Sequence, residues 1–163
     1  MRIILKNKET LLCDDFIFKC CVGKNGLSYK KIEGDKKTPR GLFSLGPVFF
    51  RKDRINSINT RMKKIELKKF MGWCDDPSSN NYNKLIKINN KVKRENLFRR
   101  DNIYDILIPI NYNTKKIIKN KGSAIFLHLT KNYKKTLGCI AIKKKDMLIL
   151  LKLISNKTKI HIR

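Results

Sequence analysis

A chain of 163 residues is long enough for one domain with a real core, and its 41% hydrophobic residues supply one. Thirty-nine Lys and Arg against 13 Asp and Glu give a net charge of +26, which excludes a near-neutral surface. Polyanions are the natural partners of such a field: nucleic acid, an anionic cell envelope or an acidic membrane face. The lysines are spread among many Asn and Ile, a mixture that A/T-rich codons also produce, so charge alone does not choose among these partners.

The amino terminus, Met1 to Lys8, has an apolar stretch cut by charge within a few residues, so it reads as neither a signal peptide nor a membrane span. No later segment approaches the ~18 apolar residues that a spanning helix needs. Arg2 to Leu5 and Phe16 to Val22 are β-forming runs, and Gly23-Lys-Asn-Gly26 predicts a hairpin from Val22 into a further strand, Leu27 to Ile32. Gly34-Asp-Lys-Lys-Thr-Pro-Arg-Gly41, bracketed by glycines with a proline inside, predicts a tight, ordered loop before a strand at Leu42 to Leu45. Gly72 to Tyr82 is polar and turn-rich around the single tryptophan and predicts a surface loop anchored by that ring.

Ile103 to Ile110 reads as a strand interrupted by Pro109, and Asn111 to Gly122 as a basic connection. Ser123 to Leu129 and Gly138 to Ile142 are strongly β-patterned, Asp146 to Leu153 is the clearest helix, and Lys159 to Ile162 is a last short strand. Strands predominate and one helix comes late, so the expectation is a mostly β (α+β) fold in a single domain over residues 1–163.

Five cysteines, Cys13, Cys20, Cys21, Cys74 and Cys139, form no CxxC pair, and only two histidines are present. No tetrahedral metal site and no cofactor are therefore expected. The odd count leaves at least one free thiol, and Cys20 with Cys21 reads as a pair of small buried hydrophobes.

The chemistry-bearing stretch is Gly122-Ser-Ala-Ile-Phe-Leu-His128, a polar loop, and Thr136-Leu-Gly-Cys139-Ile-Ala-Ile142. Both His128 and Cys139 border apolar runs, so neighbouring strands can bring a thiol to the base that takes its proton. His161 alternates with Lys159 and Arg163 and is expected on a solvated face. Gly138 lacks a Cβ, so a carbonyl substrate can approach, and the N–H groups around Gly138 and Cys139 can point at the oxyanion of a tetrahedral intermediate. Thr136 can add a hydrogen bond. Spacing alone leaves the other reading open, a buried strand cysteine beside a satisfied core histidine.

Gly34-Asp-Lys-Lys-Thr-Pro-Arg-Gly-Leu-Phe43, Gly72-Trp-Cys-Asp-Asp-Pro77, Tyr104-Asp105, the His128 segment and the Cys139 segment together resemble the L,D-transpeptidase catalytic domain (YkuD), most closely its short, single-domain proteobacterial branch. The resemblance runs in order from about residue 16 to residue 154. It implies a β-sandwich-like catalytic fold and ping-pong acyl transfer on peptidoglycan stem peptides through a thioester. On this resemblance Cys139 is the nucleophile, His128 the general base, and the backbone carbonyl of Leu129 orients the imidazole. Two positions depart from the family pattern. Leu137 stands where the widespread signature has a second histidine, and Ala141 where Arg or Asn is frequent.

Lys131, Lys134 and Lys135 are expected to help hold substrate carboxylates, and anionic envelope polymers are possible further partners. The same acyl-enzyme would serve an L,D-carboxypeptidase or a peptidoglycan amidase, with water replacing the acceptor amine. A basic nucleic-acid-binding protein is the reading from a different class; it is disfavoured because the aromatics lie in apolar strand runs. The implied substrate places the protein in the periplasm or cell envelope, whereas the lack of a visible export signal and the free thiols fit the cytoplasm.

Overall fold

The computed structural model describes residues 1–88 and 92–163. In chain order the elements are β1 (Arg2–Asn7), β2 (Thr10–Cys13), β3 (Phe16–Cys21), β4 (Leu27–Ser28), β5 (Thr38–Pro39), β6 (Gly41–Ser44), β7 (Val48–Phe50), β8 (Lys64–Glu66), β9 (Met71–Cys74), β10 (Leu85–Lys87), β11 (Arg94–Asn96), β12 (Ile106–Pro109), β13 (Phe126–Leu129), β14 (Ile140–Ile142), α1 (Lys144–Leu153) and β15 (Lys159–Ile162). The fold is mostly β with one late helix.

Ten strands form one sheet in the order β6-β15-β1-β2-β3-β14-β13-β12-β7-β8. Two-residue alternation decides which side chains turn inward. Ile3 and Leu5 of β1, Leu11 and Cys13 of β2, and Ile160 and Ile162 of β15 share a core with Ile106, Ile108, Leu127, Ile140 and Ile142 from the other half of the sheet. One core common to both halves requires the sheet to fold over itself in the manner of a sandwich. An antiparallel bridge between Leu45 and Ile110 ties the segment after β6 back to the end of β12. Helix α1 closes this core with Met147, Leu150 and Leu151, the i, i+3, i+4 stripe of an amphipathic helix.

The central strands are buried on their other face too. Phe49, Leu107, Phe126 and Cys139 pack there with Leu67, Trp73, Leu97 and Tyr104. Trp73 and Leu97 belong to the region of a second sheet, ordered β10-β9-β11, and Trp73 meets Phe126 edge-on at 5.3 Å.

The hairpin expected at Gly23–Gly26 does not form. Both edges of β3 are already occupied, by β2 and β14, so no strand can add there. The reversal instead precedes β3: Cys13 pairs with Phe16 across Asp14 and Asp15, with Asp14 at φ 48° as a two-residue turn demands. The turn at Gly23–Gly26 is present, but it hooks the chain onto Thr136, through Lys24 N–H to the Thr136 carbonyl at 2.9 Å. The strand expected over Leu27 to Ile32 shrinks to β4, which pairs in parallel with β5 inside the Gly34–Gly41 loop. The surface loop expected at Gly72 to Tyr82 is corrected as well. Its first residues lie in β9, the middle strand of its sheet, and Trp73 is buried. β12, β13 and β14 are shorter than the runs read for them, whereas β15 has the expected bounds.

Two substitutions separate core from rim. Leu127→Ala, at a fully buried position in the shared core, is expected to cost about 3 kcal/mol in urea unfolding. Ile17→Ala, at a position 75% exposed on β3, is expected to stay within about 0.5 kcal/mol of the parent.

Candidate active site

Strands β13 and β14 run parallel, with Leu127 opposite Ile140 and His128 opposite Ala141. Period-two alternation then puts Phe126, His128, Cys139 and Ala141 on one face, the face covered by the Trp73 layer. Cys139 and His128 both line a cavity of about 580 Å³, whose wall also includes Tyr104, Arg99, Glu95 and Lys31.

Cys139 is 8% exposed. Its thiol donates to the Ala124 carbonyl at 3.3 Å and accepts the Phe126 N–H at 3.3 Å. Burial pushes the thiol up to about 12; the Phe126 N–H opposes this, Glu95 adds to it and Lys31 opposes it. The resting sulfur is therefore a neutral thiol.

His128 is 6% exposed and its Nδ1 lies 2.9 Å from the Leu129 carbonyl. A carbonyl can only accept, so Nδ1 carries the proton and Nε2 holds the lone pair. Burial pulls the imidazole down to about 4; the Leu129 carbonyl opposes the shift, Arg99 adds to it and Asp101 opposes it. A neutral imidazole with a free Nε2 is ready to take a proton. No hydrogen bond joins it to the Cys139 thiol, which is turned toward Ala124. Sulfur-to-nitrogen transfer thus begins with the thiol leaving that carbonyl.

The Ala124 carbonyl is held in place by a hub absent from the sequence reading. Ala124 has φ 51°, a left-handed conformation costly for a residue with a Cβ. Its N–H donates to Asn83 Oδ1 at 3.1 Å, and Trp73 Nε1 donates to the same oxygen at 2.9 Å. Asn83 Nδ2 donates to the carbonyls of Tyr112 and Asn113 at 3.0 and 2.8 Å. All four hydrogen-bonding positions of one buried amide are used. Asn83 itself sits at φ 57°, and an Asn in the polar stretch just after Tyr82 was the one available sign of such a turn.

The other side of the nucleophile is set by Thr136 and Gly138. Gly138 N–H donates to Thr136 Oγ1 at 3.1 Å, and Thr136 Oγ1 donates to the Cys139 carbonyl at 2.6 Å. In this resting arrangement both groups read as oxyanion or substrate donors are engaged within the loop. Gly138 has φ 144°, and a Cβ there would lie 3.0 Å from the Lys37 carbonyl, so the Gly34–Gly41 loop backs directly onto the nucleophile segment. That loop is fastened by Lys31, 3% exposed and paired with Asp35 at 2.8 Å.

Of the three lysines expected to hold substrate, Lys134 and Lys135 line the cavity and Lys131 does not. Leu137, at the departure from the family pattern, stands 67% exposed at the cavity rim. His161 is half-buried on β15, outside the cavity, and all five cysteines are free and buried. No helix among the described residues is long and apolar enough to cross a membrane.

The chain matches the model of the L,D-transpeptidase catalytic domain family (YkuD) over residues 3–162, and it belongs to that family. A comparison with curated proteins finds no match.

Asn83→Ala removes the shared acceptor of Trp73 and Ala124 and is expected to cost about 2–4 kcal/mol in denaturant unfolding. Acid titration of stability tests the buried imidazole. An unfolded histidine takes up its proton near pH 6.5 and His128 only near 4, so between those values the unfolded state binds more protons and stability falls as pH falls. The loss attributable to His128 is about 3 kcal/mol at full protonation, and the slope in this window is expected to flatten in His128→Gln.

Proposed function

We propose that this chain is a cysteine L,D-transpeptidase acting on peptidoglycan stem peptides through a thioester acyl-enzyme. The observation that carries the reading is the placement of Cys139 and His128 on one face of adjacent parallel strands, in one cavity, within a chain of this family.

In the first half-reaction the donor carbonyl enters the cavity and Cys139 turns from Ala124 toward it. The thiol proton passes to His128 Nε2 as the sulfur–carbon bond forms. The Gly138 N–H, held by the Thr136 hydroxyl at rest, is the candidate donor to the oxyanion, together with the neighbouring backbone of Cys139. Collapse breaks the amide carbon–nitrogen bond, and Nε2 returns its proton to the departing amine, the terminal D-alanine. In the second half-reaction an acceptor amine attacks the thioester, Nε2 removes its proton, and the sulfur leaves and is reprotonated. The Leu129 carbonyl keeps Nδ1 protonated through both halves. Lys134 and Lys135, which line the cavity, meet substrate carboxylates in this reading. Water as acceptor would give an L,D-carboxypeptidase or amidase by the same acyl-enzyme.

Because sulfur and imidazole are both neutral at rest, thiol activation accompanies substrate binding instead of preceding it. Alkylation of Cys139 by iodoacetamide is accordingly expected to be slow near pH 7 and to climb into the alkaline range, without the acidic plateau of a thiolate–imidazolium pair.

Incubation with a carbapenem followed by intact-protein mass spectrometry tests the assignment. An adduct is expected on the parent and absent from Cys139→Ala, and His128→Ala is expected to acylate ~10²–10⁴-fold more slowly. A folded parent that forms no adduct and releases no D-alanine from a stem tetrapeptide would overturn the proposal. Product analysis with and without an amine acceptor separates transfer from hydrolysis. Joint replacement of Lys134 and Lys135 by Gln is expected to raise KM several-fold with little change in kcat, while Lys131→Gln leaves both unchanged.

A further inference from the structure

Among the described residues the His128 imidazole has one hydrogen bond, Nδ1 to the Leu129 carbonyl, and a single bond leaves the ring free to pivot about it. The Tyr104 ring packs against it, centroids 5.2 Å apart and planes at 73°. Tyr104 is buried and has its own supports. Phe126 meets it edge-on at 5.9 Å, and the Arg99 guanidinium lies over its ring face at 5.2 Å. Arg99 in turn is gripped by both oxygens of Asp101, Nε to Oδ1 at 3.0 Å and Nη2 to Oδ2 at 2.7 Å, and by Glu95 at 3.1 Å.

The segment carrying this stack is clamped to the strand layer from behind. Arg51, buried at the end of β7, donates to the Arg99 carbonyl at 2.7 Å. Arg54 donates to the Arg100 carbonyl at 2.9 Å and pairs with Asp105 at 2.9 Å. A further backbone link closes the arrangement. Leu129 N–H donates to the Ile103 carbonyl at 2.9 Å, so the residue before Tyr104 is bonded to the residue whose carbonyl fixes Nδ1. Loop and strand therefore cannot shift independently around the imidazole.

We propose that Tyr104, seated on Arg99, is the positioning residue of His128: it fixes the plane of the imidazole, and the guanidinium over the Tyr104 ring holds that ring in place. A near-perpendicular ring contact resists rotation of the imidazole, and a cation near that ring makes the protonated form less favourable. The charged and titratable groups around His128 are Arg99, Asp101, Cys139 and Tyr104, with Glu95 bordering Tyr104 and Arg99. Asp101 opposes Arg99 at the imidazole, and Arg99 lies over the Tyr104 ring. The catalytic consequence rests on the transpeptidase reading; the effect on the imidazole does not.

The test combines nitrogen NMR of the His128 imidazole and rates of Cys139 acylation by a carbapenem. In Arg99→Gln, which removes the guanidinium over the Tyr104 ring, the single Nδ1–H tautomer signature is expected to weaken and acylation to slow ~3–10-fold. Tyr104→Phe keeps the ring and is expected to acylate within about threefold of the parent. Tyr104→Leu is expected to lose the single Nδ1–H tautomer signature and to acylate ~10–100-fold more slowly, in kcat more than in KM.

A folded Tyr104→Leu with parental tautomer signals and rate would overturn the proposal. If Tyr104→Leu does not fold, the tautomer signals and rate of Arg99→Gln decide, and parental values there overturn it. If the parent forms no adduct, the reaction assignment fails, and the NMR results still decide the positioning role.

Discussion

The parallel pairing of β13 with β14, buried on both faces, is the constraint on which the site depends. It sets His128 opposite Ala141 and leaves Cys139 just ahead of the same strand, on the same face. A parallel pair carries evenly spaced hydrogen bonds and is normally found where both faces are covered. Here one cover is the large aliphatic core with α1 and the other is the Trp73 layer. The second cover removes thiol and imidazole from water, and desolvation is the leading cause of both of their shifts. Geometry and protonation state thus have one origin. A site opened to solvent on that face would keep the spacing and return both groups toward their ordinary values.

Holding a thiol in that layer draws on backbone conformations that most residues avoid. Ala124 and Asn83 lie at positive φ, and Gly138 lies where a Cβ would crowd Lys37. Such conformations persist only where the surroundings over-determine them. Asn83 does this with four hydrogen bonds to Trp73, Ala124, Tyr112 and Asn113, joining the second sheet to the connection that leads into β13. Thr136 does it on the far side by accepting from Gly138 and donating to the Cys139 carbonyl. The nucleophile is therefore held through its neighbours' backbone, and its own contacts are the weak ones of a thiol.

These arrangements explain which features were legible in the sequence. The α1 stripe, the alternating β15 and the pairing of His128 with Cys139 as strand neighbours are local patterns, and local patterns survive folding. The Gly23–Gly26 turn was readable as a turn, but its partner depended on which edges of β3 were free, a fact of the whole sheet. Trp73 was read as the anchor of a loop because Asp75 to Asn81 is polar, and β9 has only four residues, too few to show alternation. β12 and β13 are buried at every position, so neither carries an alternating signal to mark its ends. Asn83 and Tyr104 gain their meaning from contacts tens of residues away, which no spacing rule reports.

Composition and site meet in the carboxylates. The chain has three times as many cations as anions, so a cation without a partner is the ordinary state of this surface. The few acids are placed selectively. Asp35 holds the loop behind Cys139, Asp105 and Asp53 hold Arg54 and Arg51 at the base of the loop carrying Tyr104, and Asp101 with Glu95 holds Arg99. Exposed ion pairs contribute little to stability, but Lys31, Arg51 and Asp105 are nearly buried, and for them a missing partner would leave a desolvated charge. Codon bias can add lysines anywhere on the surface without disturbing these pairs. It cannot remove an acid from this set without releasing a loop that frames the cavity, so these five carboxylates are tied to the site in a way that the surface lysines are not.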